Sequence, residues 1–280
     1  FLLAAVSVEP FLYSALIMEI AVIMSIPLLV NPRAANKSGI SRYLIFQTMA
    51  MPFILLAGWF LAGGEISPVN PEQLVQATIL LGLGFIFWLA IYPFHSWVPM
   101  VFDEIDPINS GFIFLLLHSI HFILILKYID GFAWLRTYPV FFQALRFLGI
   151  IMVSFGSIGL FFEKSIRKMI GFEFLHSIGI LLVAVGLSAT RGITLFSYLI
   201  GSRLISFSIL SWSVSRFESL GVVRPVLSFR DLTQRRPIAG ASFLFSLLAL
   251  TGMPLTIGFP PQQTLYQYLA ADYPTILVLM

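Results

Sequence analysis

A few ionisable side chains stand inside long apolar runs, where each one needs a chemical reason to be. Glu19 lies mid-way through FLYSALIMEIAVIMSIPLLV, and Arg203 lies in the middle of LFSYLIGSRLISFSILSW. His118 and His121 are three residues apart in FLLLHSIHFILILKYI, on neighbouring parts of one helix face. His95 falls between Pro93 and Pro99 in FWLAIYPFHSWVP, and Glu173 and His176 open GFEFLHSIGILLV. A charge at membrane depth costs at least ~2.5 kcal/mol on insertion scales. Glu19 is too short to reach water from there. It is either a protonated acid hydrogen-bonded within a bundle or, the better reading, a proton-relay or ion-pair carboxylate. The two histidines could relay protons near neutral pH, bond a neighbouring helix, or ligate a metal, but nothing else with metal-ligand spacing is nearby. A guanidinium does not lose its proton, so Arg203 must face a carboxylate, backbone carbonyls or a water-filled cavity. Glu173 and His176, close to a span end, read as half-solvated groups. Lys127 and Arg146, also near span ends, can snorkel.

The elements that must hold these groups are membrane-spanning helices. The chain is 59% hydrophobic and 10% charged, whereas soluble domains carry about 25% charged residues. Runs of roughly 20 apolar residues, enough to span a bilayer, occupy about 10–30, 42–63, 75–97, 108–128, 139–162, 169–189, 193–214 and 238–258. A ninth apolar element runs from about 262 to the end, interrupted by Asp272 and Pro274. The expected architecture is an all-α polytopic helix bundle, one membrane domain over residues 1–280 with eight or nine spans. Two spans carry a helix breaker. Pro93 removes a backbone donor and frees a carbonyl near Leu89, and Pro254, followed by Pro260 and Pro261, does the same in LTGMPLTIGFPPQQ. At membrane depth such breaks survive only where protein or water re-satisfies the freed groups. Discontinuous helices together with buried charges point to an ion-translocating protein.

Charge placement orients the spans. Arg33, Lys37 and Arg42, then Lys164, Arg167 and Lys168, then Arg216, Arg224, Arg230, Arg235 and Arg236 fall in loops that alternate onto one side, expected to be cytoplasmic. The loop with Asp103, Glu104 and Asp106 falls on that same side, although acids count little in the rule. The chain has no cysteine, which excludes disulfides and thiolate-ligated metal or iron–sulfur centres. Phe1–Val6 lacks the basic region and cleavage site of a signal peptide, and the expectation is one stretch of a longer membrane protein.

Five segments resemble one family. YPFHSWVPMVFDEIDPINSGFIFLLLHSI is similar to the broken seventh helix and the eighth helix of the antiporter-like subunits of respiratory complex I (NADH-quinone oxidoreductase) and of cation/proton antiporter complexes. FGSIGLFFEKSIRKMIGFEFLHSIGILLV, DLTQRRPIAGASFLFSLLALTGMPLTIGFPPQ and SRYLIFQTMAMPFILLAGWFLAGG resemble further segments of that family in the right order, and Glu19 falls where its fifth-helix Glu stands. The resemblance implies a subunit of about fourteen helices with inverted repeats, of which this chain is a fragment. It implies a membrane-arm subunit that contributes to proton translocation coupled to quinone reduction. This chain would be non-catalytic and hold no cofactor. NADH, FMN, iron–sulfur clusters and quinone would belong to partner subunits, the other partners being the remaining membrane-arm subunits and the lipid bilayer, with no nucleic acid. The location implied is a prokaryotic plasma membrane, or else an organellar energy-converting one. The implied proton path comprises Glu19, His118, His95, His176 and Arg203. Two family positions have changed: Trp88 stands where a lysine is expected five residues before Pro93, and Gln262 stands at a second lysine position. A non-pumping scaffold subunit of the same complex, or a subunit of a cation/proton antiporter, are the competing expectations.

Overall fold

The computed structural model describes residues 1–9, 11–29, 38–62, 71–136, 138–219 and 233–280. Arg33, Lys37, Arg224 and Arg230 lie outside the described residues. The chain is all-helical there: α1 (Leu2–Ser7), α2 (Phe11–Leu29), α3 (Ser38–Ala62), α4 (Pro71–Trp88), α5 (Trp97–Glu104), α6 (Pro107–Gly131), α7 (Ala133–Arg136), α8 (Pro139–Phe162), α9 (Ile166–Val185), α10 (Ala189–Glu218), α11 (Pro237–Leu250), α12 (Phe259–Asp272) and α13 (Pro274–Leu279). Among the described residues, α2, α3, α6, α8, α9 and α10 are each long and apolar enough to cross a membrane. With the two shorter apolar helices α4 and α11, the chain is an integral membrane bundle.

Both expected breaks are present, and both begin earlier than their prolines. The span expected over 75–97 is helical only to Trp88, resumes at Trp97 as α5, and ends at Glu104. The span expected over 238–258 stops at Leu250 and resumes at Phe259. The reason is a helix-ending turn with a left-handed residue. Ala90 has φ 52° and Gly252 φ 72°. Around each, a 5→2 and a 6→1 bond close the turn, from Ala90 N–H to Phe87 O and Ile91 N–H to Ile86 O in one, and from Gly252 N–H to Ala249 O and Met253 N–H to Leu248 O in the other. That is the Schellman arrangement, in which the last carbonyls of a helix are satisfied by the chain that leaves it. In the first break the remaining carbonyl, that of Trp88, accepts from Gln47 Nε2 of α3 at 3.1 Å. Every one of the last four carbonyls of α4 therefore has a donor, which is what allows the break at membrane depth.

Tight helix crossings hold the bundle. Gly149 of α8 and Gly179 of α9 face each other so closely that a Cβ on either would lie 2.8 Å from the other's carbonyl oxygen. Small residues at such a crossing let two backbones approach, the main source of helix association in lipid. An aromatic column of Tyr43, Trp97, Phe114, Phe102, Phe174 and Phe207 joins α3, α5, α6, α9 and α10 through successive ring contacts.

At one end of the bundle the acidic residues at and just beyond the end of α5 tie several helix ends together. Glu104 accepts from Gly39 N–H at 2.8 and 3.0 Å, from Ile40 N–H at 3.1 Å and from Ser38 Oγ at 3.3 Å, capping α3. Asp106 caps α6 through Ile108 N–H at 2.9 Å. Asp103 accepts from Ser165 Oγ at 3.0 Å and pairs with Lys168, while Arg167 pairs with Glu218 of α10. The acid-rich and base-rich loops thus share one end because they neutralise each other. At the other end, Lys127 does not merely snorkel: its Nζ donates to the Val6 and Val8 carbonyls at 3.1 and 3.3 Å. Arg146 likewise donates to Gly186 O at 2.5 Å and lies over the Tyr273 ring. Carbonyls at helix ends are acceptors open to a cation in reach, and Lys127 pairs with Glu9 as well, at 3.4 Å.

Candidate functional site

Between the two broken helices runs a line of buried polar side chains. The end of α4 delivers Trp88, which is fully buried. Its indole stacks on the imidazole of His121, with ring centroids 4.7 Å apart and planes at 21°. One turn back on α6, His118 stands edge-on to His121 at 5.6 Å and edge-on to Phe174 at 4.7 Å. His118 Nδ1 lies 3.0 Å from the Phe114 carbonyl. A carbonyl only accepts, so Nδ1 carries the hydrogen and Nε2 bears the lone pair.

Across a cavity of about 20 Å³, lined by His118, Ser119, Ser177 and Arg203 among apolar groups, α10 presents Arg203. The space is about the size of one water molecule, and the surface it presents is apolar. Arg203 is 4% exposed and donates to Ser177 Oγ at 2.5 Å. Glu173 precedes Ser177 by one turn of α9 and is close enough to Arg203 for their charges to interact. Glu173 is 2% exposed, so the expected half-solvated position is wrong. The start of α9 is shielded by α5 and α10, and Glu173 belongs to the interior. Tyr266 stands on α12, which packs on α10, and its hydroxyl accepts from Gln262 Nε2 at 2.8 Å. Gln262 is buried beneath Gly252, where a Cβ would meet its Cδ at 2.7 Å. The polar line therefore runs from one helix break to the other: Trp88, His121, His118, Arg203 with Glu173, Tyr266, Gln262.

The other candidates sit beside this line. Glu19 is half-buried and accepts from Thr48 Oγ1 of α3 at 2.8 Å. Thr48 adjoins Gln47, the donor to the Trp88 carbonyl, so α3 physically connects Glu19 to the first break. His95 and His176 turn toward α8. His95 packs on Tyr92 and Phe155, and His176 Nδ1 is 3.1 Å from Ser157 Oγ. Among the described residues no group of three or more His, Cys, Asp or Glu could hold a metal ion. A larger cleft of about 390 Å³, lined by such residues as Ile79, Phe85, Phe141 and Leu145, presents no carboxylate, amine, guanidinium or imidazole among the described residues.

Sequence reasoning missed Gln47, Thr48, Ser177 and Tyr266. A signal existed for Gln47, an amide in the apolar run SRYLIFQTMAMPFILL. None existed for the others, since Thr, Ser and Tyr are ordinary in membrane helices, where a hydroxyl can bond its own backbone.

Comparison with known proteins agrees with the fold. Residues 44–280 match the family model described as NADH:quinone oxidoreductase/Mrp antiporter, TM. NADH-quinone oxidoreductase subunit N 2 of Acidobacterium capsulatum is 22% identical over 247 residues, covering 82% of this chain and 50% of that protein. NADH-ubiquinone oxidoreductase chain 2 of Oryctolagus cuniculus is 23% identical over 266 residues, covering 93% and 71%. Among solved structures, a chain of the Mrp complex from a Dietzia species superposes with TM-score 0.81 at 18% identity, covering 96% of this chain and 53% of that one. A chain of Thermus thermophilus respiratory complex I with bound NADH superposes with TM-score 0.78 at 19% identity, covering 95% and 59%. The chain spans about half the length of the bacterial relatives it matches.

Proposed function

This chain belongs to the NADH:quinone oxidoreductase/Mrp antiporter transmembrane family, and from that premise we propose that it is part of the antiporter-like subunit N of a bacterial NADH-quinone oxidoreductase. In that role it sits in the membrane arm beside other membrane subunits and moves protons while partner subunits carry the NADH, flavin, iron–sulfur and quinone chemistry. The observation that carries this reading is the buried polar line between the two helix breaks. Its groups, His121, His118 and Glu173, are of the kinds that take up and release protons, and Arg203 supplies a fixed charge beside them. Glu19, bonded through Thr48 to the helix that supports the first break, is the entry carboxylate. His95 and His176 stand on the α8 side of the same path.

The test is proton transport by the assembled complex in vesicles. Glu19→Gln keeps the bond to Thr48 but cannot ionise. It is expected to lower the number of protons moved per electron, with the complex still assembled. An unchanged ratio refutes the reading.

A second reading has its own observation. Trp88, at a position where the family resemblance implies a lysine, is a fully buried indole, and Gln262, at the second such position, offers only an amide. A subunit so altered could serve as a scaffold that keeps the breaks for packing alone. The same ratio separates the two readings, since a scaffold is indifferent to Glu19→Gln.

A further inference from the structure

The cleft of about 390 Å³ takes no part in the polar line. It exists because α4 packs on α3 and α8 packs on α9, which leaves a gap between α4 and α8. Ile125 of α6 and Leu182 of α9 close that gap from behind. One wall is a stripe of α4 at helical spacing, Val75, Ile79, Gly82 and Ile86, and the other is Val140, Ala144 and Leu148 of α8. The rim is open, with Ile79 58% and Val140 56% exposed, while Leu145 and Leu182 at the floor are buried.

Dimensions and chemistry restrict what fits. The α4 wall rises about 16 Å from Val75 to Ile86. Spread over that length, the volume of about 390 Å³ has a mean section of about 24 Å², against about 80 Å² for a helix about 10 Å across. A helix of a neighbouring subunit can cover the mouth but cannot enter. A polar ligand finds little to bind, since the Thr78 hydroxyl is spent on the Leu74 carbonyl at 2.8 Å. The remaining hydroxyl of the lining, that of Tyr138, stands where α8 begins, a place where tyrosine meets lipid headgroups. Gly82 is an independent pointer. At most other glycines of the bundle a Cβ would strike a neighbour, but at Gly82 it would meet nothing within 4 Å. Glycine weakens a helix interior, and here no described residue requires the space it leaves. At membrane depth the medium that enters such a gap is hydrocarbon, and an empty gap would forfeit the contacts of every side chain lining it.

We propose that the cleft between α4 and α8 is a lipid site holding one acyl chain of a phospholipid, with the glycerol end at Tyr138 and the methyl end at the first helix break. Leu89 and Ile91, which flank the left-handed Ala90, line the cleft. Phe85 lines it too and packs on Trp88 with ring centroids 6.2 Å apart. The chain therefore braces the break from its apolar side and keeps water from reaching Trp88 through the gap. The site goes beyond proton transport and does not depend on it.

The experiment places the purified, assembled complex in vesicles of phosphatidylethanolamine and phosphatidylglycerol, doped with a phosphatidylglycerol that carries a diazirine at mid-chain. After illumination, peptide mass spectrometry maps the labelled residues. Label is expected on Leu145 and Leu182, which are buried at the floor, as well as on Phe147 and Ile158, which are exposed on α8. Gly82→Phe fills the cleft from one wall and Ala144→Phe from the other. Each is expected to lose the label on Leu145 and Leu182 and to keep that on Phe147 and Ile158. An excess of a quinone with a long isoprenoid tail is expected to leave the floor label unchanged. Label confined to Phe147 and Ile158 in the unaltered protein overturns the inference. Floor label that survives the fillings, or that the quinone displaces, overturns it as well. Ala144→Phe decides the matter should Gly82→Phe fail to assemble. None of these results bears on the Glu19→Gln ratio, so this inference and the proposed function fail separately.

Discussion

The cap that Glu104 places on α3 allows a worked prediction about what fixes the first helix break. Its carboxylate takes the first amides of α3, Gly39 and Ile40, at 2.8 to 3.1 Å. Gly39 also packs on the α5 backbone so closely that a Cβ would lie 2.8 Å from Met100 C and Val101 N, and both Gly39 and Ile40 are buried. Glu104→Ala therefore strands two buried amides at a helix N-terminus. Each stranded group costs about 1–3 kcal/mol, and the lost anion at the positive end of the helix dipole costs about 0.5–1 kcal/mol more. The expected loss is about 4 kcal/mol, localised where α5 meets α3. Hydrogen exchange on the purified complex reads this directly. At about 1.4 kcal/mol per tenfold, protection of the Gly39 and Ile40 amides should fall by two to three orders of magnitude. Glu104→Gln retains one good acceptor and should lose about 1–2 kcal/mol. Asp103→Asn removes a half-exposed pair with Lys168 while leaving an amide oxygen to accept from Ser165 Oγ, and should change these amides by under about 0.5 kcal/mol. Protection in Glu104→Ala within about 0.5 kcal/mol of the unaltered protein would refute the capping argument.

Two further predictions concern the breaks and the line between them. Ala90→Gly should stabilise the subunit by about 0.5–1 kcal/mol, because Ala90 holds φ 52° and glycine adopts it without a Cβ penalty. The reverse change, Gly252→Ala, should destabilise by about 2 kcal/mol or more, since the new methyl would also strike Gln262. Resistance to denaturing detergent measures both. Arg203→Met should destabilise by about 3 kcal/mol by leaving Glu173 buried without its opposing charge, and adding Glu173→Gln should recover at least 1 kcal/mol of that. Additive losses in the double variant would show that the two charges do not interact.

Much of the architecture was legible in the residues alone. Apolar runs of bilayer length announced the spans, because lipid admits only helices that satisfy their own backbone bonds. The prolines announced two discontinuous helices for the same reason. Their starting points were not legible. Pro93 and Pro254 mark where a helix cannot continue, but Ala90 and Gly252 end it earlier, and alanine carries no signal for a left-handed turn. Glu19, His118 and Arg203 were visible as costly residues at depth. Glu173 was misjudged because distance from a span end says nothing about which neighbours cover it. His121 stood beside His118 in the sequence, yet only the tertiary structure stacks it on Trp88.

Composition, helix periodicity and the breakers thus determined a polytopic bundle with two interrupted helices and the few ionisable groups able to carry a proton through it. The tertiary structure alone decided which of those groups meet. A side chain's partners in a bundle come from other helices, brought together by close crossings such as Gly149 on Gly179 and by caps such as Glu104 on Gly39. Those contacts join residues 30 and 65 positions apart in the chain, and no local pattern encodes them.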